Sequence, residues 1–532
     1  MDETTIDRRR WWALAVMCTS LAVITLDNTV LNVALPALVR DLNATTSQLQ
    51  WIVDGYTLVF AGLLLTAGSL GDRFGRRGAL STGLAIFCVG SAASAFAASA
   101  NMLVVTRAFM GIGAALIMPA TLSLLTNVFH NPKERARAIG AWAAVAGASG
   151  AFGPLIGGAL LQHFWWGAVF LINVPLTIAV LIAGRFLLPS SKDPEAGKLD
   201  PLGALLSIVG LVALLWGIIQ APTDGWAAPN VVGALVLGVV VLGSFVAWEL
   251  TCDHPMLNVR FFRNRRFSAA NVAITLVFFA MFGASFLITQ YLQTVLGFTA
   301  FQAGLRMMPM ALVMLVVAPM SPRLVERIGT KLVAGCGLLL AAGGLMVVAT
   351  VPVTDGYPRL LAGMMVLAAG MGMVMAPATE SIMGSLPRNK AGVGSAMNDT
   401  TRQMGGALGV AVIGSVLASV YRPGVGARLA ELHAPESVIA SARDSIGGAV
   451  DAAGSLAEPL RSSVIAASRS EFVNAFHGAL FVGAAVLFAA AAIVFALLPA
   501  RAAAEEEVHV DGLASLTYAE AEGELELVGQ AS

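Results

Sequence analysis

The sequence predicts an all-α integral membrane protein of fourteen spans, built as two six-helix bundles with two helices inserted between them. Three observations carry that expectation: a shortage of charge, apolar runs of membrane-crossing length, and a repeated order of motifs. The chain has 532 residues, 57% hydrophobic and only 12% charged, with a mean hydropathy of +0.79. A soluble domain carries about a quarter charged residues, so an ordinary globular enzyme is excluded. A helix crosses the hydrocarbon core with about 20 mainly apolar residues. The runs here are long and unbroken, whereas a membrane β-barrel reads as short alternating segments.

Apolar segments fall at roughly 11–33, 50–70, 79–99, 102–126, 138–161, 167–188, 201–220 and 230–250, then at 268–290, 303–322, 332–351, 359–386, 392–419 and 473–498. The first follows Arg8, Arg9 and Arg10 in the manner of a secretory signal. Its run to Leu26 is long for one, and no small-residue cleavage site closes it, so it reads as a retained span. An even count puts both termini on one side. If that side is cytoplasmic, it collects 22 of the 32 Lys and Arg residues, and the short opposite loops hold only Arg40, Arg306 and Arg359. Cations concentrate on the cytoplasmic side of membrane helices. The expected location is therefore the cytoplasmic (inner) membrane, with the N- and C-termini in the cytoplasm.

A repeat defines the halves. Gly71-Asp72-Arg73-Phe74-Gly75-Arg76-Arg77 follows span 2, and Val325-Glu326-Arg327-Ile328-Gly329-Thr330-Lys331 follows span 10, displaced by 254 residues. Gly111 and Gly113 precede Pro119-Ala120-Thr121 in span 4, as Gly370 and Gly372 precede Pro377-Ala378-Thr379 in span 12. A shift of eight spans implies two six-helix halves around an inserted pair. The expected units are an N-terminal bundle over 1–188 and the inserted pair with its linkers over 189–267. A C-terminal bundle follows over 268–500, with a long external segment at 421–471 and room there for short amphipathic helices. The acid-rich tail 501–532 is expected to be a disordered cytoplasmic end.

These motifs, in this order, resemble the major facilitator superfamily and within it the fourteen-helix drug:proton antiporter family. Thr25-Leu26-Asp27-Asn28-Thr29-Val30-Leu31-Asn32-Val33-Ala34-Leu35-Pro36 resembles the family's span-1 signature, and Gly68 to Arg77 its loop motif. Arg107 with Gly111, Gly113 and Ala114 resembles the span-4 motif, and Gly153-Pro154-Leu155-Ile156-Gly157-Gly158 the antiporter motif of span 5. Phe170-Leu171-Ile172-Asn173-Val174-Pro175, Gln290-Tyr291-Leu292-Gln293 and Arg402-Gln403-Met404-Gly405-Gly406 resemble further blocks. One block departs: Trp165-Trp166-Gly167-Ala168 stands where an Arg commonly sits between the aromatics. The resemblance implies the major facilitator fold and efflux of amphipathic drugs or antibiotics in exchange for protons.

Several residues are candidates for that work. Asp27 lies about 16 residues past the basic end of span 1, at a depth of roughly 24 Å. An aspartate there costs several kcal/mol unless it meets water, pairs or takes a proton, so it either carries a transport proton or is tied to a cation such as Arg107. Arg107 is always charged; the resemblance assigns it to proton coupling, and the alternative is a side chain snorkelling to the headgroups. Asp54 begins span 2 near the outer surface, where it either is hydrated or contacts substrate or proton. Glu380 and Asp399 lie about 10 Å in from the cytoplasmic side, and Arg402, three residues past Asp399, is able to pair with it on one helix face.

Asp72, Arg73, Gly75, Arg76 and Arg77 form a candidate gating loop. Gly147, Gly153, Pro154, Gly157 and Gly158 put small residues and a bend where a partner helix can approach closely. Met307, Met308, Met310, Met314 and Met320, with a second cluster from Met364 to Met375, either line a promiscuous pocket or simply pack. The expected partners are a drug-like small molecule, protons and the lipid bilayer. No P-loop provides for ATP, no basic aromatic face provides for nucleic acid, and four scattered cysteines give neither a disulfide framework nor zinc spacing. No metal or cofactor is expected. A dedicated exporter of one metabolite or self-made antibiotic, and a non-transporting membrane sensor or scaffold, are the alternative readings.

Overall fold

The computed structural model describes residues 3–129, 131–190, 200–385 and 391–498. Within them the chain is helical with no strand. The first half comprises α1 (Glu3–Leu42), α2 (Thr46–Phe74), α3 (Arg76–Ala95), α4 (Ala100–Val128), α5 (Pro132–His163) and a sixth span broken into α6 (Ala168–Leu171) and α7 (Asn173–Leu187). The inserted hairpin is α8 (Pro201–Asp224) and α9 (Pro229–Thr251). The second half comprises α10 (Arg265–Gln290), α11 (Ala300–Ile328), α12 (Thr330–Val348), α13 (Tyr357–Met383), α14 (Ala391–Glu431) and α17 (Leu460–Leu497), with the short helices α15 (Glu436–Asp444) and α16 (Ile446–Ala453) between the last two.

Thirteen membrane-spanning candidates meet length and hydropathy among the described residues, with α6 and α7 counted together. At about 1.5 Å per residue, the 32-residue α5 is a fourteenth helix long enough to cross. Large apolar side chains such as Phe186 on α7, Val239 on α9 and Leu315 on α11 stay exposed. A continuous apolar exterior of this kind is what lipid covers.

The repeat is visible in the helix ends. Thr45 caps α2 and Thr299 caps α11, each reciprocated by a glutamine three residues on, Gln48 and Gln302. Both helices stop at a glycine with positive φ, Gly75 (116°) and Gly329 (87°), a conformation that costs most other residues. Thr45–Gly75 and Thr299–Gly329 are the same device one repeat apart. Asp72 and Gly147 are helical, and nothing is described of their surroundings.

The two ends of the molecule differ. At the face away from the N-terminus the halves touch: α2 lies against α14 at Gln50, and α5 against α11 at Gly158. There α14 and α17 continue past the expected spans, to Glu431 and from Leu460, because Val438, Ile439, Ala442 and Ile446 of the short helices bury against the structure. Segment 421–471 is thus helical for most of its length. Thr46 Oγ1 donates to the Asp444 carbonyl at 2.8 Å, so this cap bridges both halves. The predicted tail at 501–532 lies outside the described residues.

Candidate functional site

Asp27 and Arg107 meet inside the first half. Arg107 is wholly buried, and its Nη1 pairs with Asp27 Oδ2 while its Nε donates to the Ile52 carbonyl at 3.2 Å. The guanidinium carbon sits 4.2 Å from the centre of the Tyr56 ring. The other Asp27 oxygen accepts from Asn173 Nδ2 at 3.0 Å, and that amide also reaches Ser91 Oγ at 3.2 Å. Arg107 therefore does not snorkel. Paired, hydrogen-bonded and backed by an aromatic face, the two charges are satisfied at a depth where either alone would be costly. Asn173, in the Asn-Val-Pro block, is a functional position that charge and spacing do not single out; its one signal in the sequence is an amide in an apolar span.

Asp54 is also wholly buried, and neither of its carboxyl oxygens has a hydrogen-bond partner. Helical spacing puts it between Gln50 and Leu58 on one stripe of α2. That stripe faces the second half: Gln50 Nε2 donates to the Val410 and Ala411 carbonyls at 3.1 and 3.0 Å, and Leu58 packs with Ala407 and Ala411. Asp54 belongs to the seam between the halves rather than to hydrated surface. Gln50 to Ala is expected to weaken closure of this face by about 1 kcal/mol, roughly a fivefold loss of closed population. Faster labelling of a cysteine placed at Ala411 would report it; an unchanged rate would exclude the amide from the seam.

The span-5 motif works on two sides. A Cβ at Gly157 would come within 2.9 Å of Val30 Cγ1 on α1, whereas one at Gly158 would come within 2.6 Å of the Ala300 carbonyl and Phe301 Cα on α11. The Pro154 carbonyl lies against Gly304 of α11, and Gly153 against the Thr29 hydroxyl. Gln293, in the π turn Tyr291–Val295 that ends α10, donates to the Val33 carbonyl of α1 at 2.9 Å. Gly304, Gln50 and Gln293 complete the seam.

Toward the N-terminal face a cavity of about 80 Å3 opens between the halves, lined by Met118, Pro119, Leu122 and Trp142 of the first half and by Ala396 and Asp399 of the second. That is room for two or three waters, so a drug-sized molecule needs the halves to splay further. The Trp142 indole is held by Thr121 Oγ1 at 3.3 Å. Asp399 pairs with Arg402 at 3.9 Å, and Arg402 Nη2 donates to Thr379 at 3.2 Å. Glu380 is exposed on α13 and is not among the lining residues. Neither methionine cluster lines this cavity; Met118 does. At the gating loop Arg77 donates to the Leu188 carbonyl of its own half at 3.3 Å, and the Arg73 guanidinium lies 5.6 Å from the Phe74 ring centre.

Two helical halves in contact at one end, with ionisable groups inside one half, in the seam and beside a cleft, fit a membrane transport protein. The chain belongs to the Major Facilitator Superfamily, whose family model matches residues 17–410. It is a multi-pass transport protein and not an enzyme.

The chain is similar to the multidrug efflux pump LfrA of Mycolicibacterium smegmatis, 36% identical over 91% of this chain and 96% of that one. It is also similar to the tetracenomycin C resistance and export protein of Streptomyces glaucescens (35%, covering 91% of each). The methyl viologen resistance protein SmvA of Salmonella typhimurium is 34% identical over 93% of this chain and 99% of its own. Among solved structures, a bacterial homolog of the human lysosomal transporter Spinster, inward-facing and unoccupied, superposes with a TM-score of 0.64 at 18% identity, covering 92% of this chain and 98% of that one.

Proposed function

We propose that this protein exports amphipathic drugs or antibiotics across the cytoplasmic membrane in exchange for protons, by alternating access to a site between its halves. The observation that carries the reading is Asp54, a fully buried acid without a hydrogen-bond partner in the seam that must part and close. A dry, unpaired carboxylate costs far more than its neutral form, so the far face closes over Asp54 only when it holds a proton. If cations mark the cytoplasmic side, the far face is external, and each closure takes one proton from outside. Moving that charge inward gains about 2.3 kcal/mol per 100 mV of membrane potential.

Asp27, with its fixed Arg107 partner, is the second proton candidate: protonating it would free the guanidinium to rearrange within the first half. Substrate would enter from the cytoplasm between Trp142 and Asp399, an aromatic face and an acid that together favour a cationic amphiphile, with Glu380 and Arg402 further along the same side. The relatives named for multidrug efflux and for methyl viologen resistance support drug-like substrates. The relative named for tetracenomycin C supports a second reading, export of a single compound, which a substrate panel separates from the first.

The deciding experiment uses proteoliposomes carrying an imposed pH gradient. Substrate should dissipate the gradient with the native chain, and Asp54 to Asn should abolish that dissipation while leaving substrate binding. Undiminished proton movement with the asparagine variant would overturn the assignment.

A further inference from the structure

Away from the transport path, two carboxyls are buried against each other where the inserted hairpin meets the N-terminal face. Asp200 caps α8, accepting from the Gly203 amide at 2.8 Å, and its two oxygens receive Trp248 Nε1 at 3.0 and 3.1 Å. Glu249, in the last turn of α9, is 3% exposed and Asp200 6%. Glu249 Oε2 accepts the Leu257 amide at 2.8 Å, which folds the loop after α9 back onto the hairpin. Its Oε1 has no hydrogen-bond donor.

That oxygen faces Asp200 across Gly203. A Cβ on Gly203 would lie 2.5 Å from Asp200 Oδ2 and 2.6 Å from Glu249 Oε1, so only glycine leaves room for the two acids to meet. Both oxygens lie within 2.6 Å of that one point, so they are no more than about 5 Å apart. A carboxylate has acceptors only, and two bare carboxylates this close and this buried repel strongly. The contact therefore needs something positive between them. Of the charged and titratable groups nearby, Asp253 and His254 line the adjoining cavity, and Arg260 is turned to the Leu250 carbonyl at 3.5 Å. Among the described residues no cationic side chain is paired with either acid, and no cluster of three ligating side chains could hold a metal ion.

We propose that Asp200 and Glu249 are a second proton-binding site, in which one shared proton clasps the hairpin to the loop that leads into the second half. When the proton leaves to water in the adjoining cavity of about 440 Å3, two carboxylates remain, they repel, and Glu249 releases Leu257. The clasp is closed in acid and open in alkali. The hinge into α10 is then looser when the N-terminal face is alkaline. That this face reads cytoplasmic pH rests on the orientation proposed above; the shared proton does not.

Cys252 lines the same cavity and reports the clasp. In the detergent-purified full chain with Cys18, Cys88 and Cys336 changed to serine, the rate of Cys252 modification by a maleimide is measured from about pH 5.5 to about pH 8. Dividing by the rate in Glu249→Gln removes the thiol's own ionisation, because that amide donates to Asp200 at every pH. Asp200→Asn, which keeps the α8 cap, serves if the first variant folds poorly. The ratio is expected to rise with pH by up to about tenfold per unit across the window where a single proton leaves. A ratio that stays flat, or that answers to a chelator instead of to pH, would overturn the proposal. No transport is measured, so failure here leaves proton exchange untouched, and failure of the Asp54 experiment leaves this site standing.

Discussion

Replacing Arg107 with alanine is expected to cost about 3–5 kcal/mol of stability and to reduce transport to background, because it strands Asp27 as a buried charge. Asn173 alone would remain to hold that carboxylate. Adding Asp27→Asn to the Arg107→Ala chain should recover part of the stability, since the stranded charge is then gone, yet it should recover no proton-linked efflux. Arg107→Lys should fare poorly as well. An ammonium can satisfy Asp27 or the Ile52 carbonyl, but it cannot keep the planar fork that reaches both while lying on Tyr56. Thermal unfolding in detergent and efflux from proteoliposomes measure the two arms. An Arg107→Ala chain unfolding within about 1 kcal/mol of the native one would show that the pair is not a buried charge pair at all.

Gly158→Leu is expected to hold the far face open. Its side chain would meet the backbone of Ala300 and Phe301, which cannot turn aside as a side chain can. Overpacking of this kind costs about 1–3 kcal/mol, which shifts the balance between closed and open forms by roughly 5- to 150-fold. Efflux should fall accordingly while the protein stays folded, because the clash exists only when the seam is closed. Labelling of a cysteine at Ala411 by an impermeant reagent from the far side should accelerate by a similar factor. Gly153→Ala is the control: it also overpacks, meeting the Thr29 hydroxyl and Cβ on α1, but within the same half and away from the seam. An equal effect from both substitutions would mean that the glycines serve ordinary packing and not the seam.

The residues that composition and spacing could single out were charges in apolar runs, and Asp27, Asp54 and Arg107 stood out for that reason. Their surroundings were not legible. Asp27 reaches Arg107 across 80 residues and Asn173 across 146, and Gln50 reaches Val410 across 360. Asp54 read as an acid near the outer surface, either hydrated or in contact with substrate or proton, because distance along a helix gives depth but not which neighbour covers it. Glu380 and the methionine clusters drew attention by residue type, yet the cavity is lined by Met118 and Trp142, which looked like ordinary apolar positions. The capping pair Thr299 and Gln302 is legible in the sequence, since it repeats Thr45 and Gln48 at the same displacement as the glycines.

Fold class, number of spans and two-fold repeat follow from the sequence alone, because hydrocarbon solvent demands long apolar helices whose backbone bonds close within each segment. The contacts that make a transporter of those helices were decided only in three dimensions. Between helices the lipid supplies no hydrophobic drive, so close glycine packing, amide-to-carbonyl bonds and the buried Asp27–Arg107 ion pair choose the partners. Such contacts depend on which faces meet, and a helical period by itself names a face without naming what lies opposite.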